Sequence, residues 1–330
     1  MNILVTGATG FIGQYLVRQL RREGHTVRCL IRDKQRAIEL FDTQNLEYVI
    51  GDITDKRTLA NITSNISVVY HLAAIMGHDL PSESAFRKFR EVNAVGTKNI
   101  AESCIGNSVQ KFIYVSSTAA MGLLKNNPID EKTTCRPVTP YQVSKYEGEL
   151  VVKRLTDEHG LPGIIMRPSM VYGVGFKGDF LTIAKVAKTG FFPKIGFGKH
   201  LSPALYVEDL VDCLSTAKEK AVVGETYITS SEVSYELGRV VRIIAEQLNL
   251  KVRMFFVPKL LALLGAWVLE RTSLLRGETP LVTVRNIRSA TTDRVFDIGK
   301  AKRDLCFQQK MSLEDGLKKT IEYYESVGYL

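Results

Sequence analysis

The sequence predicts an α/β fold, a doubly wound parallel sheet with a smaller, partly interleaved C-terminal region. Two observations lead there. Short, nearly continuous apolar runs such as NILV and FIYV alternate with amphipathic stretches through the first half, the pattern of a parallel sheet covered on both faces. A glycine-rich turn, Thr6-Gly7-Ala8-Thr9-Gly10-Phe11-Ile12-Gly13, stands between the first apolar run and the first amphipathic stretch. Sheets of this kind receive ligands at the carboxyl ends of their strands.

Strands are expected at residues 3–6, 26–31, 46–50, 68–72, 112–116 and 163–167, and helices at 11–23, 56–64, 84–105 and 141–159. After Arg167 the pattern loosens. Glycines from Gly173 to Gly198 punctuate a loop-rich stretch, followed by a helix at 207–218, a strand at 226–229 and helices at 236–248, 259–271 and 313–326. The expected division is residues 1–168, with return elements near 204–229, and a mainly substrate-binding region at 169–330.

The chain of 330 residues is 45% apolar and 24% charged, an ordinary globular composition. Its net charge is +9, with basic residues spread from Arg18 to Lys319 among carboxylates. That spread reads as a solvated surface, so no nucleic-acid partner is expected. Five cysteines lie far apart with no C-x-x-C pair, which fits free thiols in a reducing compartment and no metal site. A strand pattern begins at Asn2 and leaves no room for a signal peptide. The longest apolar stretch, 260–269, is about half the ~20 residues a bilayer span needs. The expectation is a cytoplasmic protein whose 260–269 stretch forms a buried helix or subunit contact, ahead of a pocket cap or a membrane contact.

In the glycine-rich turn, Gly7 suits the tight turn, Gly10 lets backbone approach a pyrophosphate, and Gly13 allows close helix packing. The helix that starts at Phe11 offers free N–H groups to an anion, with Thr9, Phe11 and Ile12 beside them. The second strand ends in Arg32, followed by Asp33, Lys34 and Arg36, where an NAD-binding chain would place a carboxylate. Arg32 can stack on adenine and pair with a 2′-phosphate, so NADP(H) is favoured and NAD(H) stays open. Asp52 is placed to accept from the adenine amino group, Ile53 to pack on the ring, and Leu72, Ala73 and Ala74 to let a flat cofactor lie on backbone.

Tyr141 and Lys145 are one helical turn apart and share a face. A nearby ammonium stabilises phenolate, so the pair can relay a proton to or from an alcohol. Tyr114-Val-Ser-Ser117 ends another strand on the ligand side, and Ser117 can bond the reacting oxygen, with Ser116 as a simple cap.

These segments, with GDITD, HLAA, Asn93–Thr97 and RPSMVYG in order along nearly the whole chain, resemble the extended short-chain dehydrogenases/reductases. The resemblance implies a Rossmann-type sheet, Ser117, Tyr141 and Lys145 as catalytic triad, and Tyr141 and Lys145 also at the cofactor. It further implies Pro168 through Val171 beside the nicotinamide, Asn93 in a supporting role, and a homodimer. The look of Tyr206–Leu210 and of Phe296-Asp-Ile-Gly-Lys is similar to the 3β-hydroxysteroid dehydrogenase and dihydroflavonol reductase branch. Accordingly, the expected activity is NADP(H)-linked hydride transfer to or from a small-molecule secondary alcohol or carbonyl. The alternative is a nucleotide-sugar epimerase or dehydratase holding NAD. The cations typical of that branch are missing at Leu201–Leu205 and at Ser289–Asp293, although Lys194, Arg288 or Arg294 could still meet a phosphate.

Overall fold

Alternation along each central strand builds two apolar layers. Ile3 and Val5 face one core and Leu4 the other; Ile113 and Val115 likewise oppose Phe112 and Tyr114. The computed structural model describes residues 1–41, 46–77, 82–124, 128–276 and 282–330. Strands β1 (Asn2–Thr6), β2 (Thr26–Ile31), β3 (Leu46–Ile50), β4 (Val68–His71), β5 (Lys111–Val115) and β6 (Gly163–Pro168) form an all-parallel sheet. Short strand β7 (Val171–Tyr172) pairs with β10 (Leu205–Tyr206) outside it, and β8 (Phe191–Ile195) and β9 (Leu201–Ser202) follow β7. Strand β11 (Thr226–Thr229) completes the main sheet beside β6, giving the order β11-β6-β5-β4-β1-β2-β3. Order reverses between β1 and β4, the switch point where such sheets open a crevice.

Helix α1 (Phe11–Arg22) covers one face, and α2 (Lys34–Leu40) follows β2. On the other face lie α3 (Glu83–Arg90), α4 (Gly96–Cys104) and α5 (Pro140–His159), with Ile100, Cys104, Val152 and Leu155 in the second core. Helix α5 starts on a capping box between Thr139 and Gln142 with Pro140 in its first turn, and stops at Gly160 with φ 69°. The later half adds α6 (Asp179–Ala187) and α7 (Val207–Lys220), the latter packed on α1. Then come β12 (Tyr235–Glu236), α8 (Leu237–Gln247), β13 (Arg253–Val257), α9 (Lys259–Leu275), α10 (Val284–Ala290), α11 (Gly299–Leu305) and α12 (Leu313–Ser326). Strand β12 pairs with β9, and β13 with β8.

Three expectations are corrected. Residues 56–64 do not make a helix: a single 3-10 turn at Lys56–Leu59 ends before Asn61 and Asn65, whose φ values of 58° and 60° are left-handed. The stretch 84–105 is interrupted by a π-helical turn, Glu91–Val95, that joins α3 to α4. Finally, α9 is not buried: Leu260, Leu264 and Trp267 are 78%, 57% and 48% exposed. Among the described residues, no helix is long and apolar enough to cross a membrane.

Candidate active site

The glycine turn leaves no space for side chains. Gly7 has φ 71°, and a Cβ there would lie 2.7 Å from the Ala73 backbone nitrogen; at Gly13 it would lie 2.1 Å from the Gly7 carbonyl oxygen. Gly13 therefore packs the helix against the turn itself. Gly10 is the N-cap of α1 and has no side chain to bond the first-turn N–H groups, which remain open to an anion. Thr9 and Ile12 are partly buried beside it. Phe11 stacks on Phe176, ring centroids 4.8 Å apart, and so ties the turn to the C-terminal region.

At the end of β2, Arg32 is exposed and has neither ion pair nor side-chain hydrogen bond among the described residues. The neighbouring carboxylate, Asp33, is used as N-cap of α2, accepting from the Arg36 N–H at 3.1 Å. Asp52 spends Oδ1 on the Thr54 N–H and hydroxyl, both at 2.8 Å. Ile53 is only 7% exposed and belongs to the core beneath α4, with Gly96 against it. Little of its side chain is left for an adenine ring. Leu72, Ala73 and Ala74 line the loop after β4, partly exposed and against Gly7. Pro168 ends β6 opposite Thr229, and Val171 pairs with Leu205.

A buried polar chain runs from the glycine turn to α5. Thr97 Oγ1 donates to the Asn93 carbonyl at 2.7 Å, so it accepts from His71 Nε2 at 3.0 Å. His71 Nδ1 then accepts from Thr6 Oγ1 at 2.7 Å, and Thr6 Oγ1 in turn accepts the Ala73 N–H. His71 is fully buried; burial, helped by the Lys145 charge, pushes its pKa down to about 3, and the ring stays neutral. Asn93 continues the chain. Its amide bonds both the N–H and the carbonyl of Ile75 and donates to Ser144 Oγ, which donates to the Tyr141 carbonyl. Asn93 thus fastens the loop after β4 to α5.

On α5, Tyr141 is partly buried and Lys145 is 2% exposed. Burial raises the pKa of Tyr141, and the nearby Ser117 hydroxyl offsets part of the rise. Lys145 Nζ donates to the Val115 carbonyl at 2.8 Å and stands 4.4 Å from the Tyr114 ring centroid. Burial pulls its pKa down to about 7, against the pull of Glu149. The expected lowering of Tyr141 by Lys145 is therefore not the dominant effect; burial dominates, and the phenol keeps its proton. Ser117 caps the turn Thr118–Met121 through the Ala119 N–H, the role expected of Ser116. Ser116 instead donates to Glu149 Oε1.

Glu149 and Arg167 form a buried bidentate pair, 2.9 and 2.7 Å, that the sequence reading missed. The signal was present, since Glu149 stands four residues after Lys145 on the same helical face. The pair clamps α5 to the end of β6, and its carboxylate raises the pKa of Lys145. Nearby, Arg167 Nη1, Ser169 Oγ, Thr229 Oγ1 and Ser230 Oγ are buried without hydrogen-bond partners among the described residues. They gather where β6 and β11 end side by side. Such orphaned groups mark a place where a polar ligand gains bonds at no cost to the protein.

A family model described as "NAD dependent epimerase/dehydratase family" matches residues 3–229, more than half of the chain. The chain belongs to that family. It is therefore an enzyme of the extended short-chain type that uses an NAD(P) nucleotide. The UDP-glucose 4-epimerase of Vibrio cholerae is 27% identical, over 98% of this chain and 95% of the relative. The 3-beta-hydroxysteroid dehydrogenase of Mycolicibacterium neoaurum is also 27% identical, over 98% and 91%. Among solved structures, the UDP-glucuronic acid 4-epimerase of Bacillus cereus in complex with NAD superposes with a TM-score of 0.80 at 23% identity, covering 99% of both chains. That likeness establishes the fold. Family members of both chemistries thus stand at equal distance.

Proposed function

We propose that this family member is an NADP(H)-dependent oxidoreductase that moves hydride between the nicotinamide and a secondary alcohol or carbonyl carbon. Ser117, Tyr141 and Lys145 are its catalytic residues. The observation that carries the reading is the buried Lys145, held by the Val115 carbonyl one helical turn from Tyr141, at the end of the strand that Ser117 follows. Residues 169–330 supply most of the substrate side, and the partly exposed faces of Val95 and Leu150 on the α3–α5 side fit a homodimer contact.

The residues present fit the cofactor. Gly7, Thr9, Gly10, Phe11 and Ile12 would hold its pyrophosphate, Asp52 and the backbone of Ile53 would border its adenosine, and Leu72, Ala73 and Ala74 would lie along it. Pro168 and Val171 would border the nicotinamide, and Tyr141 and Lys145 its ribose. When bound, NADP(H) supplies or accepts the hydride. In the reductive direction Tyr141 donates its proton to the carbonyl oxygen, and its burial keeps that proton in place at neutral pH. Ser117 donates a hydrogen bond to the same oxygen, stabilising the charge that develops there. Lys145 in its cationic form holds the phenolate that Tyr141 becomes.

Preference for the 2′-phosphate rests on Arg32, unpaired at the end of β2 while Asp33 is engaged in capping. Thermal stabilisation by NADPH is expected to exceed that by NADH, and Arg32→Ser to weaken NADPH binding by about tenfold, roughly 1.4 kcal/mol. Stronger stabilisation by NADH would reject this part.

A second reading has its own observation. Arg285 Nη1 and Arg294 Nε are buried without partners among the described residues, and burial lowers the pKa of both guanidiniums. Desolvated arginines suit a diphosphate, as on a nucleotide sugar; Arg285 has no carboxylate acting on it, and Arg294 feels only Asp179. Net oxidation of added NADPH by carbonyl compounds supports the first reading. Stabilisation by UDP- or dTDP-sugars without net NADPH turnover supports the second.

A further inference from the structure

The C-terminal region carries a helix whose amphipathic pattern is reversed. The inner side of α9 holds mostly small and polar residues, Ala262, Ala266, Glu270 and Ser273, with Leu263 the one large apolar side chain among the described residues there. Its outer side holds Leu260, Leu261, Leu264, Trp267, Val268 and Leu275, each between 46% and 88% exposed. Pro258 alone separates α9 from β13, where Phe255 and Phe256 are also about half exposed. Phe197, 92% exposed, packs at a tilt on Phe256 with centroids 4.5 Å apart, and so extends the same surface through the loop after β8. Apolar patches of this extent on a folded chain mark an interaction face.

Charge is concentrated around this face. Residues 188–200 and 251–276 contain eight cations (Lys188, Lys194, Lys199, Lys251, Arg253, Lys259, Arg271 and Arg276) against one carboxylate, Glu270. These two segments hold a net +7 of the +9 of the whole chain. The basic residues are spread along the chain as expected, but most of their excess over carboxylates falls in these two segments. All eight cations are exposed, and only Lys194 forms an ion pair among the described residues, with Glu236. Glu270 turns inward and accepts the Val284 N–H at 2.7 Å.

We propose that this face, α9 with β13 and the β8 loop, docks on an anionic lipid surface. Leucines and a tryptophan suit the boundary between acyl chains and headgroups, and a collar of lysines and arginines suits acidic headgroups. At 17 residues, about 25 Å, α9 lies in the plane of the surface instead of crossing it. A second copy of the chain is a poor occupant, because a two-fold contact would set +7 against +7. Nucleic acid is also a poor one, since aliphatic side chains dominate the centre of the face. The proposal is independent of the reaction assigned above.

Trp267 is the single tryptophan of the chain and reports directly on the contact. With the full-length protein, vesicles of phosphatidylcholine and phosphatidylglycerol are expected to shift its emission to the blue and to carry the protein down on centrifugation. Pure phosphatidylcholine vesicles should do neither, and high salt should release the protein. Leu264→Asp, and separately Lys199→Glu with Lys259→Glu, are expected to reduce partitioning at least tenfold, leaving melting temperature and NADPH stabilisation unchanged. Absence of binding to acidic vesicles overturns the proposal, as does equal binding to both vesicle types. Self-association in sedimentation velocity that Leu264→Asp abolishes, without vesicle binding, would assign the face to a second copy and also overturn it.

Discussion

The two ends of the cofactor crevice are built from different materials. At the β1 end recognition belongs to backbone: glycines whose missing side chains let a turn close, and an uncapped helix start. At the β5–β6 end it belongs to buried side chains: Lys145 and the Glu149–Arg167 pair. The first region is indifferent to side-chain chemistry and intolerant of added volume. The second tolerates little change of charge. One protein thus prepares for an anion with geometry and for a proton with desolvation.

Tyr141→Phe should produce the largest effect, a loss of turnover of about 10²–10⁴-fold, with NADPH stabilisation retained. Parallel loss of cofactor stabilisation would show that the two ends are not separable. Next comes Glu149→Ala, which strands a buried guanidinium that already has one unpaired nitrogen. It should cost about 3–5 kcal/mol in urea unfolding, and a change below 1 kcal/mol would remove the charge-based half of the contrast. Gly13→Ala places a carbon where the Gly7 carbonyl stands. It is expected to cost roughly 1–3 kcal/mol through overpacking and to weaken cofactor binding more than it slows the bound complex; the opposite ranking in steady-state kinetics would contradict it.

The smallest effect is one of pH. Because the folded-state pKa of Lys145 is pulled down to about 7, its buried charge destabilises the fold fully below that pH. The penalty fades as pH rises toward the ordinary lysine value. Lys145→Met should therefore raise the melting temperature most below pH 7, with the gain shrinking at higher pH. A difference from the parent protein that is flat between pH 6 and 9 would refute the assignment.

The contrast also decides what could be read from the sequence. The glycine turn was legible because backbone constraints leave their mark on residue type at fixed spacing. Tyr141 and Lys145 were legible for the same reason, one turn apart on a helix opened by Thr139, Pro140 and Gln142. Arg167 was not, because nothing local shows that a strand-end arginine will meet a carboxylate 18 residues away. Ser117 takes the cap expected of Ser116, because successive residues after a strand face opposite sides and only the fold says which side holds Glu149. Helix α9 looked buried from its composition, and exposure is a property of what packs on it. The short helices α2, α6, α10 and α11 fell among glycines and charged residues too few to show a period.

The π-helical turn Glu91–Val95 holds one residue more than an α-helix would need. Upstream of it, Phe89 meets the Tyr141 ring edge-on at 6.3 Å; downstream, Thr97 meets His71. Each α-helical residue advances the side chains by about 100°, so the surplus residue sets the phase between these two contacts. Deleting it would heal the helix and turn Phe89 away from the Tyr141 ring, although no contacting side chain had been altered. A one-residue gap in a relative's sequence at this place would accordingly mark a differently phased active-site wall, and here chain length itself is a specificity variable.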